Sequence, residues 1–180
     1  MFYSVSKEIS KMLSLVLHHT LERIGITLDQ NGWTEIKHLI SKAKKTGYKL
    51  SLEELLETVR TNDKQRFTIS KDGRKIRAAQ GHSIDIDLAL DPIEPPEILF
   101  HGTASANLNS IFEMGIHSAK RQYVHLSSNE ETALKVGGRH GKVIVLQINT
   151  RQMFKEGLKF FKADNGVWLT DHILPKYISF

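Results

Sequence analysis

Glu97-Ile98-Leu99-Phe100-His101-Gly102-Thr103-Ala104-Ser105 opens the stretch that decides the fold. It runs on through Met114-Gly115-Ile116 to Lys120-Arg121-Gln122-Tyr123-Val124-His125-Leu126-Ser127-Ser128. His101 closes one apolar run and His125 sits in a second. Between them lies a helical run with a polar start, Thr103 and Ser105, and a stop at Gly115. The pattern reads strand–helix–strand. Small residues beside a strand-end histidine let a ligand come close to the backbone. Arg121, four residues before His125, adds a fixed positive charge. Spacing alone leaves two readings open: a binding site, or a structural unit with two incidental histidines.

The 180 residues suffice for one ordinary domain or two small ones. With 40% hydrophobic and 25% charged residues the chain is globular in composition. It has no cysteine, which excludes disulfides, thiolate metal sites and cysteine nucleophiles. No N-terminal charged-then-apolar signal is visible, and the longest apolar runs, such as Val143 to Leu146, are far too short to span a bilayer. A soluble, cytoplasmic protein is expected. The net charge of +5 is unevenly placed: residues 1–83 and 98–180 are basic, while residues 84–97 hold five acids and no base. Two basic lobes around an acidic connector suit a polyanion such as RNA, although a merely soluble basic surface has the same composition.

Along the chain, Val5, Ile9, Met12, Leu13 and Val16 recur at helical spacing and predict a helix from Ser6 to about His19. His18 and His19 stand at its C-terminal end, where partial negative charge favours a cationic imidazole. Thr34 is expected to cap a second helix whose face is Ile36, Leu39, Ile40 and Ala43. Ser51-Leu52-Glu53-Glu54 reads as a capping box opening a third. A hairpin follows, Phe67 to Ser70 and Lys75 to Ala78, turned at Asp72-Gly73. Three helices and a basic hairpin resemble a winged helix. Residues 84–97, with Pro92 and Pro95-Pro96, read as an extended connector. The second lobe mixes short strands and helices: a capping box at Ser128-Asn129-Glu130-Glu131, a buried-type strand at Val143 to Ile148, an ambiguous Met153 to Phe161, and a strand at Val167-Trp168-Leu169. The fold class is α/β in the α+β sense.

His101-Gly102-Thr103, Val124-His125-Leu126-Ser127, Gly138-Arg139-His140-Gly141 and Asn165-Gly166-Val167-Trp168-Leu169-Thr170 together resemble the RNA 2′-phosphotransferase family, of the NAD-dependent tRNA 2′-phosphotransferase type. The resemblance continues N-terminally through Lys64-Gln65-Arg66-Phe67 and Ile76-Arg77-Ala78-Ala79-Gln80-Gly81-His82-Ser83, so it covers nearly the whole chain. That family is a branch of the ADP-ribosyltransferase fold. The resemblance implies a winged-helix-like RNA/phosphate-binding lobe at 1–83, a connector at 84–97 and an NAD-binding, ADP-ribosyltransferase-like lobe at 98–180.

The activity implied is NAD-dependent removal of an internal 2′-phosphate from RNA. An RNA-phospho-ADP-ribose adduct gives way to 2′-hydroxyl RNA, ADP-ribose 1″,2″-cyclic phosphate and nicotinamide. NAD is then a co-substrate and a tRNA-like RNA the partner, with no membrane or protein partner implied and a monomer sufficient. A phosphate oxyanion is already a nucleophile, so the first step asks for charge compensation rather than a carboxylate base. By resemblance, His19, Arg66 and Arg121 serve the phosphate. His101, Gly102, Thr103, His125, Ser127 and Val167 serve NAD, with apolar Val167 where protein-modifying members carry glutamate. One position departs: Leu17-His18-His19 stands where the family has Leu-Arg-His, so His18 is a weakened catalytic position. The rivals are a transferase that caps nucleic-acid terminal phosphates and a nucleic-acid-binding module with impaired catalysis. Two histidines without carboxylates at ligand spacing argue against a metal site.

Overall fold

The computed structural model describes residues 2–18, 23–81, 86–138 and 142–180, with side chains from Lys7 onward. The chain divides into two compact units, Met1–Ala89 and Leu90–Phe180. The division falls inside the acidic stretch that reads as a connector. Its first part is fastened to the first unit: Asp87 N–H donates to Gln30 O, and the Arg77 guanidinium donates to Leu88 O while lying 4.6 Å from the centre of the Trp33 ring. Its second part is fastened to the second unit, where Ile93 N–H donates to Phe160 O.

In the first unit α1 (Phe2–His18) lays Ile9, Met12, Leu13, Val16 and Leu17 into one core with Ile36, Leu39 and Ala43 of α2 (Ile36–Lys45). Leu55 of α3 (Leu52–Arg60) completes it from the other side. α3 starts as read: Glu54 N–H donates to Ser51 Oγ at 3.1 Å, and Ser51 N–H to the Glu54 carboxylate at 2.8 Å. α2 does not start at Thr34. That residue pairs with Ile76 in the short strand β1 (Thr34–Glu35) and is buried, so Glu35 precedes the helix without a side-chain cap. The hairpin strands β2 (Phe67–Ile69) and β3 (Lys75–Ala78) join β1 in an antiparallel sheet of order β1-β3-β2. Their turn has Gly73 at φ 70°, a conformation that costs glycine little.

The second unit contains two antiparallel sheets. One is β4-β6-β9, from β4 (Ile98–Ala104), β6 (Val143–Asn149) and β9 (Ile178–Ser179); the other is β5-β8-β7, from β5 (Val124–Leu126), β7 (Phe161–Lys162) and β8 (Trp168–Thr170). Phe100 and Ser127 bridge the two sheets, with N–H to O distances of 2.9 and 2.8 Å. Helices α4 (Leu108–Met114), α5 (Glu130–Gly137) and α6 (Thr150–Lys155) pack on this frame. Its core is Leu99, Leu126, Leu146, Ile148, Met153, Phe160 and Trp168 with their neighbours.

Several local readings shift. β4 runs on past His101, paired with β6 from Ile98↔Asn149 to Ala104↔Val143, so His101 is mid-strand and Thr103 belongs to the strand. α5 is capped by Asn129, which accepts from Thr132 N–H, and not by Ser128. The ambiguous stretch after Met153 resolves into the end of α6, a turn at Gly157, buried Phe160 and β7. The C-terminus closes a sheet: Ile178 pairs with Ile148. Glu156 holds that end, its carboxylate kept down to about 2 by Lys176, Tyr177 and Gln152.

Candidate active site

His101 and His125 are brought together by the seam between the two sheets of the second unit. The His101 ring nitrogen Nδ1 lies 3.1 Å from the carbonyl oxygen of His125. A carbonyl only accepts, so His101 carries its proton on Nδ1 and turns an acceptor lone pair outward on Nε2. Desolvation by burial pushes the His101 pKa below the usual imidazole value, and the bond to His125 O offsets this only in part. A neutral His101 follows.

His125 is set the opposite way. Arg121 Nη1 lies 2.9 Å from His125 Nδ1. A guanidinium has no acceptor, so Nδ1 of His125 accepts and its proton stands on Nε2. The two histidines are thus complementary, one presenting an acceptor and the other a donor. The Arg121 side chain reaches back along its own loop to do this, and its backbone N–H is held by Ser118 O at 3.1 Å.

Four further residues of the expected NAD set lie around this pair. Ser127 is the bridge partner of Phe100, one residue before His101. Val167 is the residue before Trp168, which pairs with Leu126, so Val167 and Ser127 are the next residues along the two strands. Its N–H donates to Asn165 Oδ1, and its carbonyl accepts from Ala163 N–H. Thr103 shares the strand face of His101 by the two-residue period, and is buried with Asn107 Nδ2 donating to its hydroxyl at 3.1 Å. Gly102 faces the other way. A Cβ there would stand 1.8 Å from Ala133 O, so the backbone it admits is that of α5, with Gly137 on the facing side. Gly137 reads in the sequence only as the end of the helix that follows Ser128, where α5 does end, and Asn107 does not stand out. Only the four-residue step from Thr103 to Asn107 hints at the latter.

In the first unit the expected phosphate residues are differently placed. Arg66 stands just before β2 with its backbone pinned: its N–H donates to Asn62 Oδ1 and its carbonyl accepts from Ala79 N–H. Its half-buried side chain has no ion-pair or hydrogen-bond partner among the described residues. His18 is 8% exposed, donates Nδ1–H to Ser14 O at 2.8 Å and meets the Phe67 ring edge-on. His19 lies outside the described residues, as do His82-Ser83 and Arg139-His140-Gly141 of the family-like motifs. Among the described residues no three histidines or carboxylates are grouped to hold a metal ion, and no helix is long and apolar enough to cross a membrane.

Comparison with known proteins gives a consistent result. Residues 4–172 match the family model described as RNA 2′-phosphotransferase, Tpt1 / KptA family. A protein of Flavobacterium johnsoniae named "Probable RNA 2′-phosphotransferase" is 48% identical over 177 residues, covering 98% of this chain and 97% of its own. One of Agrobacterium fabrum with the same name is 49% identical over 97% of this chain and 94% of its own. A third, from Acaryochloris marina, is 50% identical over 95% of this chain and 94% of its own.

Proposed function

The chain belongs to the RNA 2′-phosphotransferase, Tpt1 / KptA family, a family of transferase enzymes, and on that premise we propose that it removes an internal 2′-phosphate from RNA at the expense of NAD. The reaction runs through an RNA-phospho-ADP-ribose adduct to 2′-hydroxyl RNA, ADP-ribose 1″,2″-cyclic phosphate and nicotinamide. In this reading the first unit is a winged-helix-like lobe for RNA and phosphate, the second an ADP-ribosyltransferase-like lobe for NAD, and a tRNA-like RNA is the cytoplasmic substrate.

The observation that carries the reading is the hydrogen-bonded chain Arg121–His125–His101, which fixes two ring nitrogens of opposite character on one seam. That donor set suits a ribose: the His101 Nε2 lone pair receives a hydroxyl, and His125 Nε2–H meets an oxygen. Gly102, Thr103, Ser127 and Val167 would hold the rest of the nicotinamide half. NAD, when bound, supplies an electrophilic anomeric carbon and nicotinamide as the leaving group. The apolar Val167 offers no carboxylate to activate a protein acceptor, and a phosphate oxyanion needs none. Arg66, with its uncommitted guanidinium, Arg121 and His19 compensate the phosphate charge, the task for which paired guanidinium donors are suited. His18 fills the place of the family's missing arginine only in part, since its Nδ1–H is given to Ser14 O.

The test is product analysis after incubation with NAD and an RNA bearing one internal 2′-phosphate. Nicotinamide release that requires the 2′-phosphate, with cyclic phosphate formed, is expected. Equal release with unphosphorylated RNA would mark a glycohydrolase, and a stable adduct on terminal phosphates would mark a capping enzyme.

A further inference from the structure

The segment from Ile36 to Leu50 carries five lysines, Lys37, Lys42, Lys44, Lys45 and Lys49, and no acid. The rest of the chain holds twenty Lys/Arg against twenty Asp/Glu, so this one segment accounts for the whole net charge of +5. It is α2 and the loop after it. One face of the helix, Ile36, Leu39 and Ala43, is buried in the core, while Lys37, His38, Ser41, Lys44 and Lys45 are exposed on the other side, followed by exposed Tyr48 and Lys49. Ion pairs occur elsewhere, as in Arg60–Glu57, Lys75–Asp29 and Lys135–Glu131, but none of the five lysines has an acidic partner among the described residues.

Helix stability does not account for the pattern. Lys42, Lys44 and Lys45 in the last turn do favour the helix dipole. Lys37 sits in the first turn, where positive charge opposes it, although the carboxylate of Glu35 just before the helix offsets part of that cost. The next helix follows the ordinary pattern, with Glu53 and Glu54 in its first turn and Arg60 in its last. α2 therefore presents a cationic row that has no acidic partners among the described residues and that helix stability does not require. From Lys37 to Lys45 the row spans about 12 Å at the rise of an α-helix. A nucleic-acid strand offers about one phosphate per 3.4 Å of helical rise, so such a row meets several.

We infer that the exposed face of α2 is a second RNA-binding surface, one that holds the phosphodiester backbone flanking the modified nucleotide, without reading sequence. The inference rests on the 2′-phosphotransferase reading for the RNA's chemistry. Its role is affinity for the body of the substrate, whereas Arg66 and Arg121 act at the 2′-phosphate. Lysine suits this work, because a flexible ammonium neutralises a backbone phosphate without demanding one geometry.

The experiment compares the full-length protein with the triple variant Lys37→Gln, Lys44→Gln, Lys45→Gln on two substrates. One is a trinucleotide with an internal 2′-phosphate, the other a long stem–loop RNA with the same group. For the long RNA the slope of log affinity against log salt should fall in magnitude by about 2, at roughly 0.7 to 0.9 per lost phosphate contact, with affinity at low salt down about ten-fold or more. Turnover of the trinucleotide should stay within about two-fold, the range left to surface changes remote from a site. Unchanged slope and affinity for the long RNA would overturn the inference. Equal losses on both substrates would also overturn it, since the lysines would then serve the reaction site or the fold. Weakened binding of polyglutamate with RNA binding intact would assign the face to a different partner. A parent protein that turns over neither substrate, yet shows the slope change in RNA binding, would refute the proposed reaction and leave this surface standing.

Discussion

Arg66 and the lysines of α2 in the first unit differ from the candidate site residues of the second in how their polar groups are held. In the second, Arg121, His125 and His101 are bonded to one another, and Thr103 to Asn107, so each group has a defined proton position before any ligand arrives. In the first, Arg66 and the lysines of α2 are cations without partners among the described residues. Preorganised groups contribute most where charge and geometry must be met at one point, as at a ribose. Unpaired cations contribute most where a polyanion brings its own charge and releases its counterions on binding. On the proposed reading, the difference suits one unit to orientation and the other to charge.

The contrast is broken most severely by disturbing the frame under the histidines. Gly102→Ala would drive a Cβ to 1.8 Å from Ala133 O, a backbone atom that cannot turn aside. A loss of about 3 kcal/mol or more in denaturant unfolding is expected, at the upper end of overpacking effects. Gly138→Ala is the control: nothing lies within 4 Å of its added Cβ, and its φ is −66°. It should change stability by no more than about 0.5 kcal/mol.

Next in size is the removal of single groups from each unit. His101→Ala should lower kcat/KM by about 10²- to 10³-fold, the usual cost of losing one preorganised polar contact at a reacting centre. Arg66→Ala should cost about 10- to 150-fold, as for a charge-assisted contact. Arg66→Lys should recover little, because an ammonium does not reproduce paired donors. Full recovery by lysine would blur the division, since Arg66 would then act as bulk charge like the lysines of α2.

The pH dependence sharpens the same contrast. Burial depresses the His101 pKa, so the reactive neutral form persists below the ordinary imidazole range. The acid limb of kcat/KM due to His101 should therefore lie below about pH 6.5, the value for a free histidine. Stability carries the same sign. The unfolded chain takes up the proton more readily than the folded one, so this contribution is intact above the unfolded value and is lost as pH falls from there through the folded one. A rate profile measured with saturating NAD, and a stability profile over the same range, check both. Rate lost instead on the alkaline side, as pH rises through the imidazole range, would mean that His101 works as the imidazolium.

Much of this was legible in the sequence because local chemistry specified it. The apolar stripe of α1 from Ile9 to Val16, the Ser51–Glu54 capping box and the Asp72-Gly73 turn each depend on residues within a few positions and form as read, although α1 begins at Phe2 and not at Ser6. Thr34 misled because a β-branched residue both caps helices and pairs in strands, and the distant partner Ile76 decided between them. Ser128 and Asn129 are both capping residues, and the frame of α5 selected the second. The two histidines could be singled out, and Arg121 lay at a visible four-residue step from His125. Their proton positions could not, because these follow from a carbonyl twenty-four residues away from His101 and from the direction of a guanidinium. Gly102 was read as room for a ligand. The structure adds that the room on its own side is filled by α5, a fact that only tertiary packing contains.

The smallest effects concern His18, the one candidate of the first unit that breaks the rule for that unit. Where Arg66 is unengaged, His18 is buried, bonded to Ser14 O and set against Phe67. A ring so placed belongs to the helix end first, and its removal should be felt there: His18→Ala is expected to cost about 1 kcal/mol of stability for the lost bond, with further loss of packing. With Nδ1–H committed to Ser14 O, kcat/KM for the 2′-phosphorylated RNA should fall by less than about ten-fold, below one full charge-assisted contact. His18→Arg supplies the arginine that the resemblance implies at this position, a permanent charge with paired donors, but the longer side chain must leave the Phe67 contact. It should raise kcat/KM for that RNA up to about ten-fold while lowering stability, and leave NAD binding unchanged. Measuring kcat/KM and unfolding free energy for the three proteins separates the roles. A His18→Ala variant with unchanged stability and a hundred-fold rate loss would place His18 among the charges rather than the props. A His18→Arg variant no faster than the parent would mean that Arg66 and Arg121, with His19, already supply the charge that the phosphate requires.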